Sequence, residues 1–198
     1  MKSFFGLIVL AVFVMFGASA VAAQDTMMKK DDMKKSDGNP MVGGAAMYKN
    51  KNIVENAMNS ADHTTLVAAV KQADLVATLQ GKGPFTVFAP VNAAFEKLPA
   101  GVVEMALKSE NKAMLAKVLT YHVVAGKMSG KDIMKKIKKG EGKLELTTVA
   151  GAKLWVSMQG NSLVITDELG SKGMVTIADV KQSNGVIHVV DTVFMPKM

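Results

Sequence analysis

Cysteine is absent from the 198-residue chain, which excludes disulfides, lipid attachment through a thiol and a cysteine nucleophile. Arginine is absent too. All 24 basic residues are lysines, point charges without the bidentate fork that reads phosphate or guanine, so specific nucleic-acid recognition is disfavoured. No Asn-x-Ser/Thr acceptor occurs, and nothing supports N-glycosylation. The catalytic signatures are missing as well: no Gly-x-Ser-x-Gly elbow, no His-Glu-x-x-His zinc helix, no phosphate-cradling glycine loop. Gly81-Lys82-Gly83 is too short to form such a loop. Carboxylates are scattered, and the Asp167-Glu168 pair falls in a turn, so no paired-carboxylate hydrolase is expected. The chain reads as neither an enzyme nor a cofactor carrier.

What is present begins with charge. The lysines outnumber 17 acidic residues for a net +7, a balance that draws a chain to anionic glycans, lipid headgroups or nucleic acid without choosing among them. Lys2, the apolar run Phe4 to Phe16 and the small residues Ala18 to Ala23 have the layout of a secretory leader over 1–23, cut after Ala23. Its removal leaves 23 lysines against 17 acids, a net +6. The alternative is an uncleaved N-terminal membrane anchor, because Phe4 to Ala23 carries no charge and is long enough to span a bilayer. The expected location is therefore secreted or periplasmic.

Residues 24–48 are rich in Lys, Asp, Gly and Met, lack an apolar period and contain Ser36-Asp37-Gly38-Asn39-Pro40. They read as a disordered spacer. Met27, Met28, Met33, Met41 and Met47 are soft ligand types, but their spacing is irregular and no His or Cys stands among them, so no metal is assigned. A folded domain is expected over 49–198. Its first half carries helical stripes: Ile53, Val54, Ala57; Leu66, Ala69, Val70, Ala73 after a capping Asp62; Leu115, Val118, Leu119. Between them, Phe85-Thr86-Val87-Phe88 reads as a short buried strand stopped by Pro90, with Asn92 capping the next helix. The second half reads as strands near 144–149, 153–158, 162–167, 174–180 and 186–194, joined at Gly or Asn. One amphipathic helix, Lys131 to Lys139, interrupts them, with Ile133, Met134 and Ile137 facing inward. Helices first and strands later predict an α+β fold.

Gly83-Pro84-Phe85-Thr86-Val87-Phe88-Ala89-Pro90-Val91-Asn92-Ala93-Ala94-Phe95 resembles the first signature box of fasciclin (FAS1) domains, and Asn184-Gly185-Val186-Ile187-His188-Val189-Val190-Asp191 the second. Tyr121-His122-Val123-Val124 is similar to the family's tyrosine-histidine motif, and the likeness extends over about 50 to 196. The resemblance implies a FAS1-like wedge of about six or seven strands packed with a cluster of short helices. It also implies an adhesion or matrix-binding role without chemistry, with a periplasmic small-ligand carrier as the alternative. Through the family's adhesion motifs it implies candidate binding residues Tyr121, His122, Asp179 and Val180, the last standing where the family has isoleucine.

His122 and His188 lie among apolar residues and are expected to be buried and hydrogen-bonded, whereas His63, beside a helix start, is expected to be exposed. A surface candidate comes from the residues themselves: Lys131, Lys135, Lys136, Lys138 and Lys139 surround the inward isoleucines, with Lys143 just beyond. The expected partners are an extracellular or envelope protein or an anionic polysaccharide, with weak contact to an anionic membrane as a further possibility.

Overall fold

The computed structural model describes residues 38–197. The expected leader over 1–23 and the first part of the expected spacer, 24–37, lie outside the described residues.

The chain enters as a hairpin of two short strands, β1 (Met41–Val42) and β2 (Ala45–Ala46). Val42 and the following Met47 are buried, and the carbonyl of Gly43 accepts from the Ala61 amide at 3.0 Å. Asn56 ties down the next residue: its Nδ2 donates to the Tyr48 carbonyl at 2.8 Å and its Oδ1 accepts from the Tyr48 amide at 3.0 Å. The spacer expected over 24–48 is therefore corrected from residue 41 onward. A composition poor in apolar residues conceals two that are buried.

Helices follow: α1 (Ile53–Ala57), a 3₁₀ turn (Ala61–His63), α2 (Thr64–Gln72) and α3 (Val76–Gln80). Then come strand β3 (Phe85–Pro90) and helices α4 (Asn92–Glu96), α5 (Val102–Ala106) and α6 (Lys112–Tyr121). Two caps differ from expectation. Asp62 lies inside the 3₁₀ turn, and Asn92 does not cap its own helix. The Asn92 side chain instead accepts from the Thr65 amide at 3.0 Å and donates to the Ala61 carbonyl at 2.9 Å, capping α2 from 27 residues away.

After α6 the chain forms β4 (Val123–Ala125), α7 (Gly130–Lys139), β5 (Lys143–Thr147), β6 (Lys153–Gln159), β7 (Ser162–Thr166), β8 (Lys172–Gln182) and β9 (Gly185–Val190). Seven strands make one sheet in the order β4-β3-β9-β8-β7-β6-β5, antiparallel except for the neighbours β3 and β9. A bridge between Val124 and Thr148 brings the two edges together, so the sheet nearly closes into a wedge. The α+β fold expected from the chain is the fold observed.

Strand β9 is buried along its whole length. Ile187 and Val189 face the helices, packing with Ile53, Leu66, Val70 and Leu119. Val190 faces the wedge interior with Phe88, Tyr121, Leu154, Ile165 and Phe194, and Ile133 and Ile137 of α7 plug that interior. Met134, expected inward, is 37% exposed: the buried stripe is Ile133 and Ile137 alone, four residues apart, with Met134 beside it.

Candidate functional site

Tyr121 and His122 end α6 where the chain turns into β4. Tyr121 is fully buried. Its hydroxyl donates to the Lys153 carbonyl at 2.7 Å and accepts from the Glu168 amide at 3.1 Å, and burial pushes the phenol up to about 12. The His122 ring lies with Nδ1 at 2.8 Å from the Val118 carbonyl and Nε2 accepting from the Phe194 amide at 3.0 Å. That pair of partners fixes the neutral tautomer with the proton on Nδ1. Desolvation holds the imidazole down at about 4. Neither side chain of this motif is available to a partner at the surface.

Asp179 and Val180 sit in β8 at a bulge, not at a strand end. Asp179 has φ +62°, and its Oδ1 accepts from the Gly130 amide at 2.7 Å, so it caps the start of α7. Val180 is wholly buried. Beneath the bulge, His188 Nε2–H donates to the Met128 carbonyl at 2.9 Å while Nδ1 accepts from the Asp179 amide at 3.3 Å; burial lowers its pKa. The pairs Tyr121-His122 and Asp179-Val180 do not share a hydrogen bond, and both serve the interior.

His63 overturns its expectation. It is 3% exposed, covered by Val42 and Met47 around a void of about 10 Å³. Its Nδ1 is 2.8 Å from Ser60 Oγ, whereas Nε2 has no partner among the described residues. A place beside a helix start suggests exposure, but the hairpin that covers the ring comes from the segment expected to be spacer.

The lysine helix is fixed at its start. Ser129 caps α7 by a reciprocal box: its Oγ accepts from the Asp132 amide at 3.2 Å, and Asp132 Oδ2 accepts from the Ser129 amide at 3.1 Å and hydroxyl at 2.6 Å. Those bonds hold the Asp132 carboxyl below its usual range, with Lys135 and Lys136 contributing. Ile133 and Ile137 anchor the helix, and Lys131, Lys135, Lys136, Lys138 and Lys139 all remain exposed. Among the described residues no carboxylate lies within ion-pair distance of any of the five. Lys143, at the start of edge strand β5, rests 4.9 Å over the Trp155 ring.

No group of three His, Cys, Asp or Glu able to hold a metal occurs among the described residues. Two apolar cavities of about 40 and 60 Å³ flank His122, lined largely by Val and Leu of the helices. They fall far short of the ~300 to 1,000 Å³ of small-molecule pockets. No helix among the described residues is long and apolar enough to cross a membrane.

The model of the fasciclin domain matches residues 61–196. The chain belongs to the fasciclin family. Protein sll1483 of Synechocystis is 42% identical over 167 residues, 84% of this chain and 86% of that protein. Immunogenic protein MPB70 of Mycobacterium bovis is 39% identical over 145 residues, 71% of this chain and 66% of that protein. Transforming growth factor-beta-induced protein ig-h3 of Sus scrofa is 41% identical over 132 residues, which are 66% of this chain but 17% of that protein. The solved FAS1 domain pair of the insect cell adhesion molecule Fasciclin I superposes with a TM-score of 0.65 at 19% identity, covering 72% of this chain and 50% of that one.

One surface feature of this chain was not visible in the sequence: a concavity formed by Lys82, Lys127 and the Ser183-Asn184-Gly185 turn. The stretch Gln80 to Pro84 is its only local signal, since Lys127 and Ser183 lie 45 and 101 positions beyond Lys82.

Proposed function

We propose that this fasciclin-family protein is an exported, non-enzymatic surface-binding module that holds anionic polysaccharide on the lysine face of α7. The observation that carries the reading is the set of five exposed lysines without a carboxylate partner, on a helix fixed at its start by Ser129 and Asp179 and along its length by Ile133 and Ile137. A rigid field of hydrated point charges suits a repeating polyanion, whose binding weakens as salt screens it. The family's adhesion motifs offer no competing surface, because Tyr121, His122 and Val180 are buried and Asp179 caps a helix. Export to a surface is supported by the leader-like residues 1–23 and by a relative named as a cell surface glycolipoprotein, MPB83 of Mycobacterium bovis, 37% identical over 145 residues. The non-enzymatic reading rests on histidines that are each buried in the neutral form and bonded within the fold.

Charge reversal tests the surface. Lys135→Glu with Lys136→Glu and Lys139→Glu is expected to move elution from immobilised heparin to markedly lower salt without changing the thermal midpoint. Unchanged retention overturns the reading, and loss of binding only to anionic vesicles reassigns the face to lipid. Intact mass of the exported protein checks the leader: a chain starting at Gln24 is expected, and one retaining Lys2 and Phe4 refutes cleavage.

A further inference from the structure

The entries of the two parallel strands, β3 and β9, meet at one end of the wedge, and the contact there requires glycine. A side chain on Gly83 would run into the Asn184 carbonyl, and one on Gly185 into the Phe85 carbonyl. The Asn184 side chain locks this junction: its Nδ2 donates to the Leu79 carbonyl at 2.8 Å and the Gly81 carbonyl at 3.1 Å, and its Oδ1 accepts from the Ile53 amide at 3.1 Å. The loop before α7 is pinned to the same place by the Gly126 amide, which donates to the Pro84 carbonyl at 2.8 Å. Beside this junction opens a concavity of about 470 Å³. That volume lies within the ~300 to 1,000 Å³ typical of ligand sites.

Its rim carries two ammonium groups, Lys82 and Lys127, together with the Gln80 amide and the Ser183 hydroxyl. None of these four side chains has a hydrogen-bond or ion-pair partner among the described residues, and no carboxylate lines the hollow. The Pro84 ring, exposed at the edge, adds an apolar surface. We infer that this concavity is a binding subsite for an acidic sugar unit. The carboxylate of a uronate meets Lys82 and Lys127, its hydroxyls meet Gln80 and Ser183, and the C–H face of its ring lies on Pro84. A bare phosphate could accept from the lysines, the amide and the hydroxyl, but it has no C–H face to lay on Pro84, and the exposed proline ring is what favours a sugar. Lys127 stands two residues before the Ser129 cap of α7, so the loop joins the hollow to the lysine helix. The inference rests on the polysaccharide reading for the source of the sugar, while its residues are separate from those of α7.

Titration of the full chain with digalacturonate, followed by amide NMR shifts and calorimetry, tests it. Saturable shifts are expected at Gly81, Gly83, Lys127 and Gly185, with affinity falling at least tenfold in Lys82→Gln/Lys127→Gln and severalfold in Ser183→Ala. The triple α7 variant Lys135→Glu/Lys136→Glu/Lys139→Glu is expected to retain these shifts. Their absence, an equal response to inorganic phosphate, or unchanged affinity in the double lysine variant overturns the subsite. The two proposals fail separately: loss of heparin retention only in the α7 variant leaves the helix reading intact when the hollow is silent, and shifts at the hollow persist when the helix reading fails.

Discussion

Both ring nitrogens of His122 have backbone partners, whereas among the described residues only one nitrogen of His63 has any. The same substitution logic therefore gives opposite outcomes. His122→Ala strands the Phe194 amide and merges the voids on either side of the ring, so it is expected to cost about 2 to 4 kcal/mol and lower the thermal midpoint clearly. An unchanged midpoint would return His122 to the candidates for a functional role. At His63 an apolar side chain of similar size removes an unsatisfied buried nitrogen, and Ser60→Ala removes the partner hydroxyl with it. The Ser60→Ala/His63→Leu protein is expected to be at least as stable as the parent in urea. A loss above about 2 kcal/mol would mean that His63 Nε2 is satisfied after all, by the Ala89 backbone, which favours the protonated ring, or by water in its small void.

Helix α7 is the element on which the proposed function depends, and Asp179 holds its first amide from a bulge in the neighbouring sheet. Asp179 also occupies the left-handed region, which asparagine tolerates and alanine resists. Asp179→Asn is expected to be nearly neutral. Asp179→Ala combines a lost cap with backbone strain, costing about 1 to 3 kcal/mol, and is expected to speed hydrogen exchange in α7 before β9. Equal loss for both variants would point to the charge instead of the geometry. Helix α7 itself was legible because Ile133 and Ile137 stand one turn apart among lysines, and β3 because Phe85 to Phe88 is a short apolar run closed by Pro90. The first hairpin was not legible. Two-residue strands carry no period, and only the tertiary contacts of Val42 and Met47 make them structure. The cap supplied by Asn92 to α2 and the hollow between Lys82 and Lys127 were hidden for a related reason: each is assembled from distant segments whose meeting no local pattern encodes.

At the scale of the whole molecule, two of the three histidines join segments that are far apart in the chain, and all three have pKa values lowered chiefly by burial. His122 links α6 to the C-terminal Phe194, His188 links β9 to the loop before α7, and His63 lies under the first hairpin. The sign of the pH effect follows. An unfolded histidine binds a proton near pH 6.5, while these imidazoles resist protonation when folded, so the unfolded chain takes up more protons as pH falls. Stability is therefore full above about pH 6.5 and declines as acid reaches the folded values, which for His122 means about 4. A displacement of that size at His122 alone amounts to roughly 3 kcal/mol, a large share of the ~5 to 15 kcal/mol that holds a domain together. Asp132, Glu145 and Glu168 have lowered pKa values too, but they are exposed and their contribution is lost only at more acid pH. The interval from pH 6.5 to 5 thus isolates the histidines. Urea melts across it are expected to show a midpoint that falls steadily, while the His122 ring signals in the folded protein stay in their neutral positions. A midpoint that is flat from pH 7 to 5, or a folded His122 titrating near pH 6.5, would show that the ring is not the buried neutral bridge between Val118 and Phe194.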